Sequence, residues 1–175
     1  MRTEPESADL PDGMAADAGA FAAWAGPALV PMSRLARRLA PHADPDDIVQ
    51  DALARAWEKR RLYDPVRGTA LTWLLAIVAD VARASRRTRA RWLKVVDDTV
   101  EVPETSTAQS DPDIDLDRAV AKLAERQQLA VHLHYFVGLS VDETATVMAC
   151  SAGTVKSTLF DARSRLRTLL GDHDD

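Results

Sequence analysis

The sequence predicts an all-α protein made of two small helical domains. The chain is rich in Ala and Arg, and it has few β-branched runs between turn signals. Apolar residues recur at helical spacing over long stretches. At 175 residues, of which 46% are apolar, the chain can bury one modest core or two small ones.

The charged residues suggest where one domain ends and the next begins. The net charge is −5, yet every charged residue from Arg83 to Lys94 is basic and every one from Asp97 to Asp117 is acidic. The acidic segment contains PETSTAQSDPD, whose composition cannot bury enough apolar surface to order itself. We therefore predict a disordered tail over 1–19, a domain over 20–96, a flexible acidic linker over 97–115, a second domain over 116–171 and a tail over 172–175.

The first domain contains three predicted helical regions. The initial one is interrupted by Pro27 and Pro31. Asp44 is a typical N-cap residue, and Pro45 suits the first helical position. Thr69 can cap the third helix, which runs into the basic cluster. Apolar stripes in the second and third helices predict a bundle, with both Trp57 and Trp73 in its core. The stripe of the second helix is Ile48, Ala52, Leu53, Ala56 and Trp57, and that of the third is Leu71, Leu74, Leu75, Val78 and Val81.

The second domain contains a predicted helix-turn-helix. A helix over 116–123 precedes another that ends at Gly138. Ser140 and Glu143 form a capping box that opens a short helix. A tight turn over 149–151 follows, and then a helix with an apolar stripe. Two helices joined by so tight a turn are typical of the helix-turn-helix, whose second helix enters the DNA major groove.

The outward positions of that second helix are candidate DNA contacts. Positive charge placed at the contact lets an acidic protein bind DNA, because phosphates are screened from charges beyond roughly 8 Å. Asp161 could accept from cytosine or adenine, or it could only pair with Arg165 four residues on. The predicted contacts are Thr154, Lys156, Ser157, Phe160, Asp161 and Arg163.

Three stretches in this order resemble a known family. They are DPDDIVQDALARAW, then YDPVRGTALTWLLAIVADVARASRR, then AERQQLAVHLHYFVGLSVDETATVMACSAGTVKSTLFDARSRLRTLL. Together they resemble the group IV, or extracytoplasmic-function (ECF), sigma factors of bacterial RNA polymerase. The first domain is similar to sigma region 2 and the second to sigma region 4, with no region 3 domain between them.

The resemblance implies a function and its partners. The protein would bind core RNA polymerase at the clamp helices of the largest catalytic subunit and at the flap, recognise −35 and −10 promoter elements, and promote melting. An anti-sigma factor is a further expected partner. The resemblance places polymerase contacts at Asp47, Gln50, Asp51, Ala54 and Arg55. It places contacts to the melted −10 strand at Tyr63, Arg67, Asp80, Arg83, Arg86 and Arg87, since single strands need stacking surfaces and a basic groove.

The sequence departs from the family pattern at several positions. Asp80 stands where Asn is frequent, and Ala84 where an acidic residue is frequent. Thr158 and Asp161 replace two basic residues of the recognition helix. These changes leave −10 and −35 readout through those helices open. Ala124 and Ala149 stand where Pro and Gly are frequent, which concerns local geometry.

Other readings of the sequence remain open. The chain could be a helix-turn-helix regulator that does not replace the sigma subunit, or an interaction module whose helical hairpin binds protein. The basic run over 83–94 could also be only a solvated helix face. His132, His134 and Cys150 are poorly arranged for a metal. No nucleotide-binding or catalytic motif is present, so we expect neither a cofactor nor an enzyme. The single cysteine and the lack of an apolar span predict a cytoplasmic protein.

Overall fold

The computed structural model describes residues 17–96 and 112–171, and the regular elements in these ranges are helical. Most of the predicted acidic linker therefore lies outside the described residues, although its last residues lie in a helix. Short 3-10 turns lie at Gly26–Ala28 and Arg60–Leu62, and a π-helical turn lies at His132–Val137. The helices are α1 (Ala18–Ala25), α2 (Leu29–Leu39), α3 (Pro45–Lys59), α4 (Ala70–Val96), α5 (Pro112–Ala121), α6 (Glu125–Val131), α7 (Val141–Val147) and α8 (Ala152–Gly171).

Side-chain caps fix where α3 and α4 begin. The Asp44 carboxylate accepts from the backbone N–H of Asp46 at 2.9 Å, and Pro45 occupies the first helical position. The Thr69 hydroxyl accepts from the N–H of Thr72 at 3.3 Å. Each cap satisfies a backbone donor that has no partner within the helix. Both predicted caps are confirmed.

The start of α2 differs from the prediction. Pro27 lies in the 3-10 turn that separates α1 from α2, as expected for an interruption. Pro31, in contrast, lies inside the first turn of α2. The N–H groups of a first turn have no intrahelical acceptors, so a proline there removes no hydrogen bond. The prediction that Pro31 interrupts the helix is wrong.

The two halves of the chain share one hydrophobic core. Helices α1 to α4 bury an apolar cluster that includes Met32, Leu35, Leu74, Leu75 and Val78. Four buried side chains from the second half join the same cluster: Leu129, Leu133, Leu139 and Val147. A second cluster lies among α5 to α8 around Val120, Val131, Val155, Leu159 and Ala162. The predicted domains are thus packed against each other by apolar side chains.

The capping box of α7 is confirmed. The Ser140 hydroxyl accepts from the N–H of Glu143 at 3.1 Å, and the Glu143 carboxylate accepts from the N–H of Ser140 at 2.8 Å. Before it, Gly138 ends the preceding helix with a φ of 89°. That left-handed conformation costs glycine little because it has no Cβ. The two signals together fix the approach to the helix-turn-helix.

The turn between α7 and α8 carries local backbone strain. Ala149 has a φ of 49°, a left-handed value that is unfavourable for a residue with a Cβ. We expect Ala149→Gly to raise the free energy of unfolding by about 1 kcal/mol and the Tm by about 2–4 °C. Thermal denaturation followed by circular dichroism measures this change. As a control, Ala90→Gly within exposed α4 should lower the Tm. A lower Tm for Ala149→Gly would contradict the expectation.

Candidate nucleic-acid interface

Helix α8 presents a polar face opposite its buried stripe. Val155, Leu159 and Ala162 are buried against the second cluster. The predicted contact residues lie on the other sides, where Phe160 keeps 60% of its surface exposed. The exposed set is Lys156, Ser157, Phe160, Asp161 and Arg163, and Thr154 is half-buried. The structure therefore brings the six predicted residues together on the accessible part of one helix.

Hydroxyl groups shape the first turns of α8. Ser151 accepts from the N–H of Thr154 at 3.1 Å and so acts as the cap. The hydroxyls of Ser157 and Thr158 donate to the carbonyl oxygen of Thr154 at 3.0 and 2.7 Å. Their oxygen atoms keep free acceptor capacity toward a base or a water. The ion pair considered between Asp161 and Arg165 does not form within the described residues, so the Asp161 carboxylate lies open to solvent.

The arginines of α4 have different surroundings. Arg83 is half-buried and donates to Asp80 at 3.0 Å and to Glu125 of α6 at 3.2 Å. Arg86 is also half-buried, whereas Arg87 is exposed. Of these predicted contacts to the melted strand, Arg87 is therefore the more accessible cation in this conformation.

The segment 63–69, which we call the capture loop, carries the other predicted −10 contacts. Arg67 is exposed, and Val66 keeps 93% of its surface accessible. The Asp64 carboxylate accepts from the N–H of Val66 at 3.0 Å and so tightens the loop.

Tyr63, at the start of the capture loop, does not offer the free ring that stacking would need. It is 6% exposed, because its ring packs against Trp24 and Trp73 with centroids 5.2 and 5.5 Å apart. Burial, followed by the charge of Asp64, raises the pKa of Tyr63. In this conformation the ring supports the loop from below, and contact of Tyr63 with the −10 strand stays a prediction.

Helix α3 displays a second polar surface. Ile48, Ala52 and Ala56 are buried, as the predicted stripe requires. The residues of the predicted polymerase surface lie on the opposite side at helical spacing, and all are exposed: Asp47, Gln50, Asp51, Ala54 and Arg55. This surface is separate from α8 and remains accessible.

Arg38 and His132 mark a seam between the two halves. Arg38 of α2 forms an ion pair with Asp117 of α5, and its guanidinium lies 3.8 Å from the ring centroid of Phe136. His132 is 4% exposed, and its Nδ1 has no hydrogen-bond partner within the described residues. Burial and then the charge of Arg38 lower the pKa of His132 to about 4, so the ring is neutral at pH 7.

A basic cleft borders this seam. It has a volume of about 520 Å³, and Arg37, Arg38, His42 and Arg86 line it together with Asp117. The His42 Nε2 atom lies 3.2 Å from the hydroxyl of Ser85. Burial and then the charges of Arg89 and Arg86 lower the pKa of His42. The sequence does not predict this seam, because a single arginine at the edge of an apolar stripe carries no local signal of a distant partner.

Comparison with known proteins assigns both halves of the chain. Residues 30–92 match the sigma-70 region 2 family, and residues 113–166 match sigma-70 region 4. The ECF RNA polymerase sigma factor SigL of Mycobacterium tuberculosis is 32% identical over 135 residues, which cover 73% of this chain and 75% of SigL. The RNA polymerase sigma-E factor of Streptomyces coelicolor is 33% identical over 156 residues, which cover 81% and 80% of the two chains.

The chain belongs to the ECF sigma factors. Its function is that of an alternative sigma factor, and the predicted family and two-region architecture are confirmed.

Two solved structures share the fold of this sigma factor. RpoE of Bartonella quintana, crystallised with the anti-sigma factor NepR, superposes with a TM-score of 0.68 and 26% identity, over 86% of this chain and 96% of RpoE. CnrH in complex with the cytosolic domain of CnrY superposes with a TM-score of 0.67 and 26% identity, over 93% and 94% of the two chains. In the described part of the sigma factor, no helix is long and apolar enough to cross a membrane.

Proposed function

We propose that this ECF sigma factor directs core RNA polymerase to its promoters through three separate surfaces. The observation that carries the proposal is that one chain holds both sigma regions and that each region exposes a polar helix face. The face of α3 would bind the clamp helices of the largest polymerase subunit, and region 4 would also bind the flap. The face of α8 would read the −35 element.

The −10 element would be bound by α4 and the capture loop. Exposed Arg67 and Arg87 provide cations for the backbone of a melted strand. Asp80, Arg83 and Arg86 also lie on α4, but in this conformation Asp80 and Arg83 form an ion pair. Tyr63 would reach a base only if its packing with Trp24 and Trp73 changed. We propose that the remaining energy for melting comes from polymerase, which also performs the catalysis.

A restraining partner is part of the proposal. RpoE was crystallised with an anti-sigma factor, and the arrangement of its chain is similar to that of this one. We propose that an anti-sigma factor also binds this sigma factor, that it contacts both halves of the chain, and that it restrains the protein while it is bound. We also propose that it acts in the cytoplasm, where core polymerase and promoter DNA are found.

Run-off transcription tests the proposal as a whole. Core polymerase alone, core polymerase with this protein, and the protein alone are incubated with fragments of genomic DNA. We expect discrete start sites only when both components are present, and the same transcripts map the promoters. Footprints on duplex DNA without polymerase, and no new start site, would instead identify a regulator that does not replace the sigma subunit.

Asp51→Arg tests the polymerase surface. It places a cation on the exposed face of α3, and we expect core polymerase to bind at least about tenfold more weakly, which is ~1.4 kcal/mol. Titration of core polymerase with fluorescently labelled sigma factor measures the affinity. Glu104→Arg makes the same change of charge in the predicted linker and should bind normally. Equal affinity of the Asp51 variant and the unsubstituted protein would remove α3 from the proposal.

A further inference from the structure

The cleft of about 520 Å³ at the seam, which we call the seam cleft, is lined with cations from two helices of region 2. Arg37 and Arg38 reach it from α2, and Arg86 reaches it from α4. The loop after α2 contacts α4 at the same place, because the His42 Nε2 atom lies 3.2 Å from the Ser85 hydroxyl. The two cationic walls of the cleft are therefore held side by side by the packing of region 2.

Two of these cations have no anionic partner in the described part of the chain. Arg38 pairs with Asp117 and stacks on Phe136. Arg37 and Arg86, in contrast, form neither a hydrogen bond nor an ion pair with another described residue. Three guanidinium groups and one carboxylate line the cleft, which gives the lining a net charge of +2. Cations held close together in a partly enclosed cleft repel one another, so an anion among them is stabilised.

Region 4 adds a buried polar atom to the same cleft. His132 lines it from the π-helical turn, and the Nδ1 atom of His132 has no hydrogen-bond partner within the described residues. A buried nitrogen of this kind is rare in folded proteins and calls for a water, an ion or a functional role. Burial and the charge of Arg38 keep His132 neutral at pH 7, so its ring adds no charge to the lining. The apolar side chains Leu39, Pro41 and Val120 also line the cleft.

We propose that the seam cleft binds a small phosphate-bearing anion, with Arg37 and Arg86 as its main ligands. A phosphate monoester carries about −1.5 to −2 charges at pH 7, which matches the charge of the lining. The planar fork of a guanidinium group donates two parallel hydrogen bonds to phosphate oxygens. Asp117 does not oppose such a ligand, because Arg38 neutralises its charge. The volume of the cleft is in the range of sites that hold small molecules.

This ligand is distinct from the partners of the proposed function. The residues that line the cleft come from α2, α4, α5, α6 and the turns beside them, and none comes from α3 or α8. Arg86 is the one residue that also belongs to a proposed DNA-binding surface. A phosphate of the DNA backbone has the same chemistry as that of a small molecule, so the experiment must separate these two sources.

Calorimetric titration of the full chain with sodium pyrophosphate, at pH 7 and constant ionic strength, tests the proposal. We expect one-to-one binding that is at least about tenfold weaker for Arg37→Gln, which removes a charged donor from exposed α2. Arg34→Gln makes the same change of charge one turn earlier on α2, outside the cleft, and should bind normally. Ala121→Trp fills the cleft from the exposed end of α5 and should also weaken binding at least about tenfold, whereas Thr168→Trp on exposed α8 should not.

His42 reports whether pyrophosphate occupies this cleft. Burial and then the charges of Arg89 and Arg86 lower the pKa of His42. Arg38 and Asp117 face the same cleft as an ion pair. An anion beside Arg86 offsets the repulsion, so we expect saturating pyrophosphate to raise the pKa of His42, measured by NMR titration of its imidazole protons.

The proposal is overturned if pyrophosphate does not bind the unsubstituted protein. It is also overturned if Arg34→Gln weakens binding as much as Arg37→Gln, since the attraction would then come from the basic surface in general. A single-stranded oligonucleotide titrated into the same variants examines the other source of phosphate. If Arg37→Gln weakens binding of the oligonucleotide while pyrophosphate fails to bind, the cations serve the DNA backbone and the proposal is wrong. Run-off transcription is a separate assay, so failure of the proposed function would leave these titrations unchanged.

Discussion

Lowering the pH from 7 to 4 is expected to reduce the free energy of unfolding by about 3 kcal/mol through the protonation of His132 alone. The pKa of His132 falls from an ordinary value of 6.5 to about 4 in the folded state. A depressed pKa means that the unfolded chain binds the proton more readily than the folded one. The stabilisation is therefore complete above pH 6.5, and it is lost as the pH falls toward 4.

The groups around His132 explain the size of this effect. Burial contributes most, and the cations of Arg38 from α2 and Arg86 from α4 add repulsion toward a protonated ring. Asp117 from α5 acts in the opposite direction but more weakly than Arg38. A charged imidazole would be placed in a seam that already holds an excess of positive charge.

Urea denaturation at several pH values measures the effect, with His132→Leu as the matched variant. Leucine fills similar volume, does not titrate, and removes a buried nitrogen atom that has no partner. We expect the difference in free energy of unfolding between the variant and the unsubstituted protein to grow by about 3 kcal/mol between pH 7 and pH 4. Since His42 and the carboxylates are present in both proteins, their titration cancels. Parallel pH profiles would show that His132 is not the group responsible.

Two substitutions on α8 are expected to separate base readout from phosphate attraction. Asp161→Ala should relax the preference at one −35 position by about 1–3 kcal/mol and leave the salt dependence of binding nearly unchanged. A carboxylate in the major groove is repelled by phosphates, and it is useful only where it accepts from cytosine N4 or adenine N6. The open position of Asp161, without Arg165 as a partner, is compatible with such a contact.

Lys156→Ala provides the comparison. It should weaken binding and, if the ammonium contacts a phosphate, reduce the slope of log affinity against log salt by about one. Fluorescence anisotropy with a panel of −35 duplexes at several salt concentrations measures both variants. If Asp161→Ala tightens binding equally to every duplex, the carboxylate only repels the backbone, and its proposed role in base readout is wrong.

Local features of the fold could be predicted from the sequence, because their causes lie within a few residues. The Asp44, Thr69 and Ser140 caps depend on a side chain reaching an N–H group two or three positions on, and all three form. The buried stripes follow from helical spacing in the same way. The prediction for Pro31 is wrong because the rule that proline breaks helices does not hold in the first turn of a helix.

Long-range packing could not be predicted in this way. Tyr63 is aromatic, as a residue that stacks on a base must be. Only the fold shows that Trp24 and Trp73 enclose its ring. Leu129 and Leu133 fit a stripe of their own domain equally well. Nothing local reveals that they enter the core of the other domain. The exposed faces of α3 and α8 were predictable, whereas the packing of the two halves against each other depends on contacts between residues far apart in the chain.

Because the two sigma regions share a hydrophobic core, the stability of each region depends on the other. Pulling them apart exposes leucine and valine side chains to water, so each region is less stable alone than in the intact chain. Heating the whole protein should then melt both regions in one cooperative transition. Any partner that needs them apart binds with an apparent affinity reduced by the fraction of molecules that are open. A substitution that reduces this apolar contact area, even far from DNA and polymerase, should therefore raise the apparent affinity for any such partner.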